Sequence, residues 1–179
     1  MSGQENDNEI AATSRVWCVL HVKPRTEKKV DDILAHRKCW HYLPLYKKIR
    51  KVNKRKVVSL LPLFPGYVFA RLNSEERSAM RKTDKIANII FDPNPRNTIH
   101  QLRQLKRVLK GAPRIRTAKL FTVGERVRVT EGPFMNSEGI IFRDQGKSSL
   151  ALNMSILGQS IIVTIDPNIC ERIDTEKSA

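Results

Sequence analysis

Two prolines and a glycine punctuate the longest apolar run of the chain, Leu60-Leu61-Pro62-Leu63-Phe64-Pro65-Gly66-Tyr67-Val68-Phe69-Ala70-Arg71-Leu72. Pro62 and Pro65 lack a backbone N–H, so neither fits inside a central strand. Pro65-Gly66 is turn chemistry: a preset φ, then a residue free to take positive φ. Beyond the turn, Tyr67, Phe69 and Arg71 alternate with Val68, Ala70 and Leu72, which describes a strand with two faces that both begin apolar. One face supplies a core. The other, led by Tyr67 and Phe69, is either a second core face or an exposed docking patch.

Regular elements are readable on both sides. Residues 1–14 are polar and read as a disordered tail. Val16–Val22 is a β-rich run, and Thr26 is placed to cap a helix whose Val30, Ile33 and Leu34 share a face. Tyr42-Leu43-Pro44-Leu45-Tyr46 leads into Lys47, Lys48, Arg50, Lys51, Lys54, Arg55 and Lys56, seven cations in ten residues without an acid. Asn53 within that block predicts a hairpin with a charged tip, either a solvated loop or a phosphate contact. Val57–Leu60 is its returning arm. Asn73-Ser74 then caps a helix running to about Thr83, with Glu75 and Glu76 in its first turn. Ile86–Phe91 is a strand, and Thr98-Ile99-His100-Gln101 has capping-box spacing ahead of a helix burying Ile99, Leu102, Leu105 and Leu109. The order β-α-β-β-β-α-β-α over residues 15–110 predicts an α+β sandwich, with helices on a mainly antiparallel sheet.

Gly111–Lys119 has no periodicity and reads as a linker. Residues 120–174 carry only strand signals: Val127 and Val129 alternate with Arg126 and Arg128, and Gly132-Pro133-Phe134 turns the chain. Leu157-Gly158-Gln159 is a hairpin loop between Leu150–Met154 and Ile161–Ile165, so a small all-β SH3-like barrel is expected, followed by a tail at 175–179. Charge separates the halves. Residues 1–119 hold 27 Lys/Arg against 10 Asp/Glu, whereas residues 120–179 hold 6 against 8. The front half therefore suits a polyanion such as nucleic acid or an anionic membrane, and the back half does not.

Cys18, Cys39 and Cys170 form no CxxC pair, and with four scattered histidines no zinc spacing arises. Neither a Gly-rich phosphate loop nor a nucleophile elbow is present. The expectation is a protein without catalytic residues, metal or cofactor. It has no signal-peptide pattern and no membrane-span window, and it is expected as a cytoplasmic monomer.

Trp17, Val19 and then Pro62-Leu63-Phe64-Pro65-Gly66-Tyr67-Val68-Phe69 resemble the NusG N-terminal (NGN) domain of bacterial transcription elongation factors. Phe121–Phe134, continuing to Gly139, resembles the KOW motif that follows it in that family. The resemblance implies a domain that binds bacterial RNA polymerase by laying an aromatic concavity on the clamp helices of the largest subunit. It carries Phe64, Pro65, Gly66, Tyr67 and Phe69 onto the clamp-binding positions and favours docking over core for Tyr67 and Phe69. It places Ser78 and Arg81 at the gate loop. Docking would turn the cationic hairpin toward upstream or non-template DNA. In the family the KOW domain recruits either Rho or a small-subunit ribosomal protein, through positions matching Ile156, Leu157, Gly158 and Gln159. Leu157 and Gln159 replace the family's common aromatic and arginine, which implies the ribosomal partner rather than Rho. Lys85-Ile86-Ala87-Asn88 lacks the glycine of housekeeping members, and Asn136-Ser137 replaces an acidic-aromatic pair. These departures resemble specialised, RfaH-like antiterminators acting on selected operons. A KOW-containing, RNA-binding, ribosome-associated protein is the alternative, although such a protein would want its positive charge on the barrel.

Overall fold

The computed structural model describes residues 14–53, 55–111, 116–119 and 124–173. The chain gathers into two compact units divided between Pro93 and Asn94.

The first unit is built on a four-stranded antiparallel sheet ordered β2-β5-β1-β6, from β1 (Val16–Val22), β2 (Trp40–Tyr42), β5 (Tyr67–Leu72) and β6 (Ile86–Phe91). The β5 alternation does what its pattern predicts. Val68, Ala70 and Leu72 point with Cys18, Leu20 and Val22 of β1 into one core. Helix α1 (Glu27–His36) covers that face with Val30 and Leu34, and helix α2 (Ser74–Arg81) covers it with Met80. Asn73 caps α2 as expected: its side chain accepts from the Glu76 amide (2.8 Å), while Glu76 accepts from the Asn73 amide (2.9 Å). Thr26 does not cap α1. Its hydroxyl turns back and donates to the Lys23 carbonyl (2.7 Å). Leu43 and Pro44 part β2 from β3 (Leu45–Val52), adding one strand to the expected order. Strands β3 and β4 (Arg55–Pro62) pair in register from Leu45–Pro62 to Val52–Arg55, with Asn53 at positive φ in the turn, so the hairpin forms as read.

The second unit joins helix α3 (Pro95–Gly111) to a six-stranded antiparallel sheet. The strands are β7 (Arg116–Lys119), β8 (Glu125–Val129), β9 (Glu138–Asp144), β10 (Lys147–Met154), β11 (Gln159–Thr164) and β12 (Cys170–Arg172), in the order β12-β8-β9-β10-β11-β7. An α+β domain followed by an all-β region is the arrangement expected. Two details differ. Helix α3 begins at Pro95, a turn before the predicted box: proline suits a first helical position, and Asn94 accepts from the Asn97 amide (3.2 Å). Thr98 is therefore buried inside the helix, which packs against β10 and the 3₁₀ turn Gly132–Phe134. Residues 116–119, read as linker, form edge strand β7 on β11; an edge strand needs only backbone pairing, so it leaves little trace in apolar alternation. Gly124 and Gly139 serve close approach. A Cβ at Gly124 would lie 2.5 Å from the Ile141 carbonyl oxygen, and one at Gly139 would meet that of Ala151.

Candidate functional site

The face of the first sheet opposite its helix-covered core is aromatic. Antiparallel partners lie on one face, so the register sets out rows across it. Trp17, Arg71 and Trp40 make the first row; Val19, Phe69 and Tyr42 the second; His21 and Tyr67 the third. Trp17 and Trp40 meet edge-on at 4.4 Å, and His21 stacks on Tyr67 at 5.1 Å. The middle row is closed at Val19 and Phe69, each 1 % exposed, and half-buried at Tyr42. The outer rows are more open: Trp40 is 46 % exposed and Tyr67 is half-buried. Phe64, also 1 % exposed, sits edge-on to Phe69 at 6.5 Å. The expectation of an uncovered Phe69 ring is thus corrected. Leaving such a ring in water forfeits about 2–3 kcal/mol of burial, and the fold takes that stabilisation.

The turn is held from three sides. The Tyr67 amide donates to the Phe64 carbonyl (3.2 Å), and the Gly66 carbonyl accepts from the Val22 amide (2.8 Å). The Gly66 amide donates to Glu27 Oε1 (2.9 Å). Gly66 has φ +85°, and Pro65 is exposed at the tip. Glu27 is 7 % exposed at the first position of α1. Sequence reasoning missed it. The usable signal was an acid at the start of a helix whose supposed threonine cap it follows.

Ser78 and Arg81 are exposed on α2, which packs on the other side of the sheet, so the structure does not bring them to the aromatic face. Lys47, Arg55 and Lys56 are exposed on the hairpin and Lys48 is half-buried; Arg50 and Lys51 are placed by register only, and Lys54 lies outside the described residues. Ile156, Leu157 and Gln159 are half-buried around the exposed Gly158, whose φ of 60° closes the 3₁₀ turn Ser155–Leu157. Gln101 of α3 grips that turn, accepting from the Ser155 amide (3.0 Å) and donating to its hydroxyl (2.9 Å). Gln104 accepts from the Glu138 amide (3.2 Å), and Arg107 donates to the Asn136 carbonyl (2.9 Å). The Phe121–Val123 part of the KOW motif lies outside the described residues.

Burial pushes the Cys18 thiol up to about 11 and raises Cys39 and Cys170, so these sulfurs are held as thiols. Among the described residues, no group of three or more His, Cys, Asp or Glu is placed to hold a metal ion, and no helix is long and apolar enough to cross a membrane.

An α+β domain with an aromatic sheet face, followed by an all-β region, defines an NGN-plus-KOW arrangement. The family described as "Transcription termination factor nusG" matches residues 15–109, so the chain belongs to the NusG family. It is 27% identical over 167 residues to "Transcription termination/antitermination protein NusG" of Pasteurella multocida (strain Pm70), spanning 89% of this chain and 85% of the relative. To the protein of the same description from Neisseria meningitidis serogroup B it is 25% identical over 177 residues, covering 90% and 99%. To that of Campylobacter jejuni it is 34% identical over 128 residues, covering 68% and 71%.

Proposed function

We propose that the protein is a cytoplasmic transcription elongation and antitermination factor whose front domain docks on the RNA polymerase clamp helices and suppresses pausing or termination. The supporting observation is the Pro65-Gly66-Tyr67 turn, presented at the open end of an aromatic face and fixed by the buried Glu27. The five matched residues act at two depths. Pro65, Gly66 and Tyr67 meet the partner, while Phe64 and Phe69 are buried and form the ground beneath them. A half-buried aromatic with few rotors, at the open end of an aromatic sheet face, suits a hot spot against an amphipathic helix pair. Ser78 and Arg81, on the far side of the sheet, serve a separate contact across the cleft. The cationic hairpin faces upstream or non-template DNA, releasing counterions. Ile156–Gln159 recruit a second protein, a small-subunit ribosomal protein in preference to Rho, and the departures at Leu157, Gln159 and Asn136-Ser137 support an operon-selective role. The test is co-purification with core RNA polymerase. The full chain binds, and Tyr67→Ala lowers affinity at least about tenfold, the loss of a hot-spot aromatic. Undiminished binding by a folded Tyr67→Ala variant contradicts the docking site.

A further inference from the structure

Half of the exposed large hydrophobic side chains among the described residues stand on one element: Ile49, Val57, Val58 and Leu60, all on the β3–β4 hairpin. That hairpin pairs only with itself among the described strands. Ile49 (64 % exposed) lies directly opposite Val58 (57 %), and Leu60 (46 %) lies opposite Lys47. By strand parity these residues share one face with Lys56. The result is an aliphatic centre bracketed by exposed lysines, on a segment with no acid between Lys47 and Lys56. Phosphate contact alone explains the lysines. It does not explain branched aliphatics held in water on both arms.

We propose that this ribbon seats in the major groove of duplex DNA and reads thymine 5-methyl groups through Ile49, Val58 and Leu60. This deepens the DNA contact proposed above and rests on it. Two paired strands, about 4.8 Å apart and flanked by side chains, form a ribbon about 10 Å across. It fits a major groove about 12 Å wide and is too broad for a minor groove of about 6 Å. The thymine methyl is the apolar group on the major-groove floor, and aliphatic side chains are its natural contact. RNA duplexes are a poor fit because their major groove is deep and narrow. Single strands are bound by stacking bases on aromatic rings, and this face carries none. Lys47 and Lys56 reach the phosphates along the walls, which supplies affinity without sequence.

The test compares two duplexes of identical A/T-rich sequence, one with thymine and one with deoxyuridine throughout. The pair differs only in the 5-methyl groups. Binding of the full chain is followed by fluorescence anisotropy over a range of salt. The expected result is tighter binding of the thymine duplex, about fourfold per methyl covered. Ile49→Ser with Val58→Ser and Leu60→Ser should equalise the two duplexes and keep the salt slope. Ile49→Val with Val58→Ile should preserve the difference. Lys47→Gln with Lys56→Gln should weaken both duplexes alike and flatten the slope by about 2. Equal binding of the two duplexes by the unmodified chain overturns the methyl contact while leaving the DNA reading in place. Absence of salt-dependent duplex binding overturns both. Preference for single strands or anionic vesicles over the duplex overturns the groove assignment.

Discussion

Replacing Glu27 by alanine removes the acceptor of the Gly66 amide at the base of the docking turn. Glu27 is 7 % exposed, so water does not readily take its place. Gly66 is half-buried, and leaving its amide unmet against the buried Glu27 site costs about 1–3 kcal/mol; losing a carboxylate from the first turn of α1 adds about 0.3–1 kcal/mol. Glu27→Ala should therefore destabilise the first unit by about 2–3 kcal/mol. Glu27→Gln keeps an acceptor and loses only the charge, so it should cost about 1 kcal/mol. Denaturant unfolding measures both differences, and hydrogen exchange locates them. In Glu27→Ala the Gly66 amide should exchange at least about tenfold faster, since each 1.4 kcal/mol is a factor of ten. The Val22 amide, bonded across the same turn to the Gly66 carbonyl, reports whether β1 has frayed with it. Unchanged Gly66 protection in a Glu27→Ala protein of native stability would refute the reasoning, because the turn would then be held without its carboxylate.

Other consequences follow from the same contacts. Gly124→Ala should destabilise the second unit by about 2–4 kcal/mol in thermal unfolding, because φ of +130° is glycine territory and the new Cβ meets the Ile141 carbonyl. Gln101→Ala should speed exchange of the Ser155 amide, an effect of about 1 kcal/mol, while leaving the core amides of β10 unchanged. The hydrogen bond from Arg15, joined by that from the Asn73 amide, holds the Glu76 carboxyl below its usual range. A depressed folded pKa means stability present above the unfolded value and lost as pH falls through the folded one. Glu76→Gln should therefore melt below the unmodified protein at neutral pH, and the gap should close in strong acid.

The strand alternation of β5 was legible because its two residue sets differ in fate: Val68, Ala70 and Leu72 enter the helix-covered core, and Tyr67, Phe69 and Arg71 do not. The α2 cap was legible because Asn73 and Glu76 carry a local, reciprocal pair of hydrogen bonds. Thr98-Gln101 has the same spacing and misled, since Asn94-Pro95 starts the helix earlier and Gln101 bonds Ser155, 54 residues away. Glu27 was illegible for a related reason. Its partner is 39 residues distant and is a backbone amide, which no side-chain pattern announces. Alternation assigned Phe69 to the correct face, but a ring's exposure depends on its neighbours in space, here Phe64 and Val19, and not on strand period.

The central claim is that the Pro65–Tyr67 turn touches RNA polymerase. A photo-crosslinking side chain placed at the exposed Pro65 position, with the full chain bound to core polymerase, tests it directly. The account predicts a crosslink to the clamp helices of the largest subunit. A bound complex that crosslinks there from the hairpin or from Gly158, and never from position 65, would contradict it.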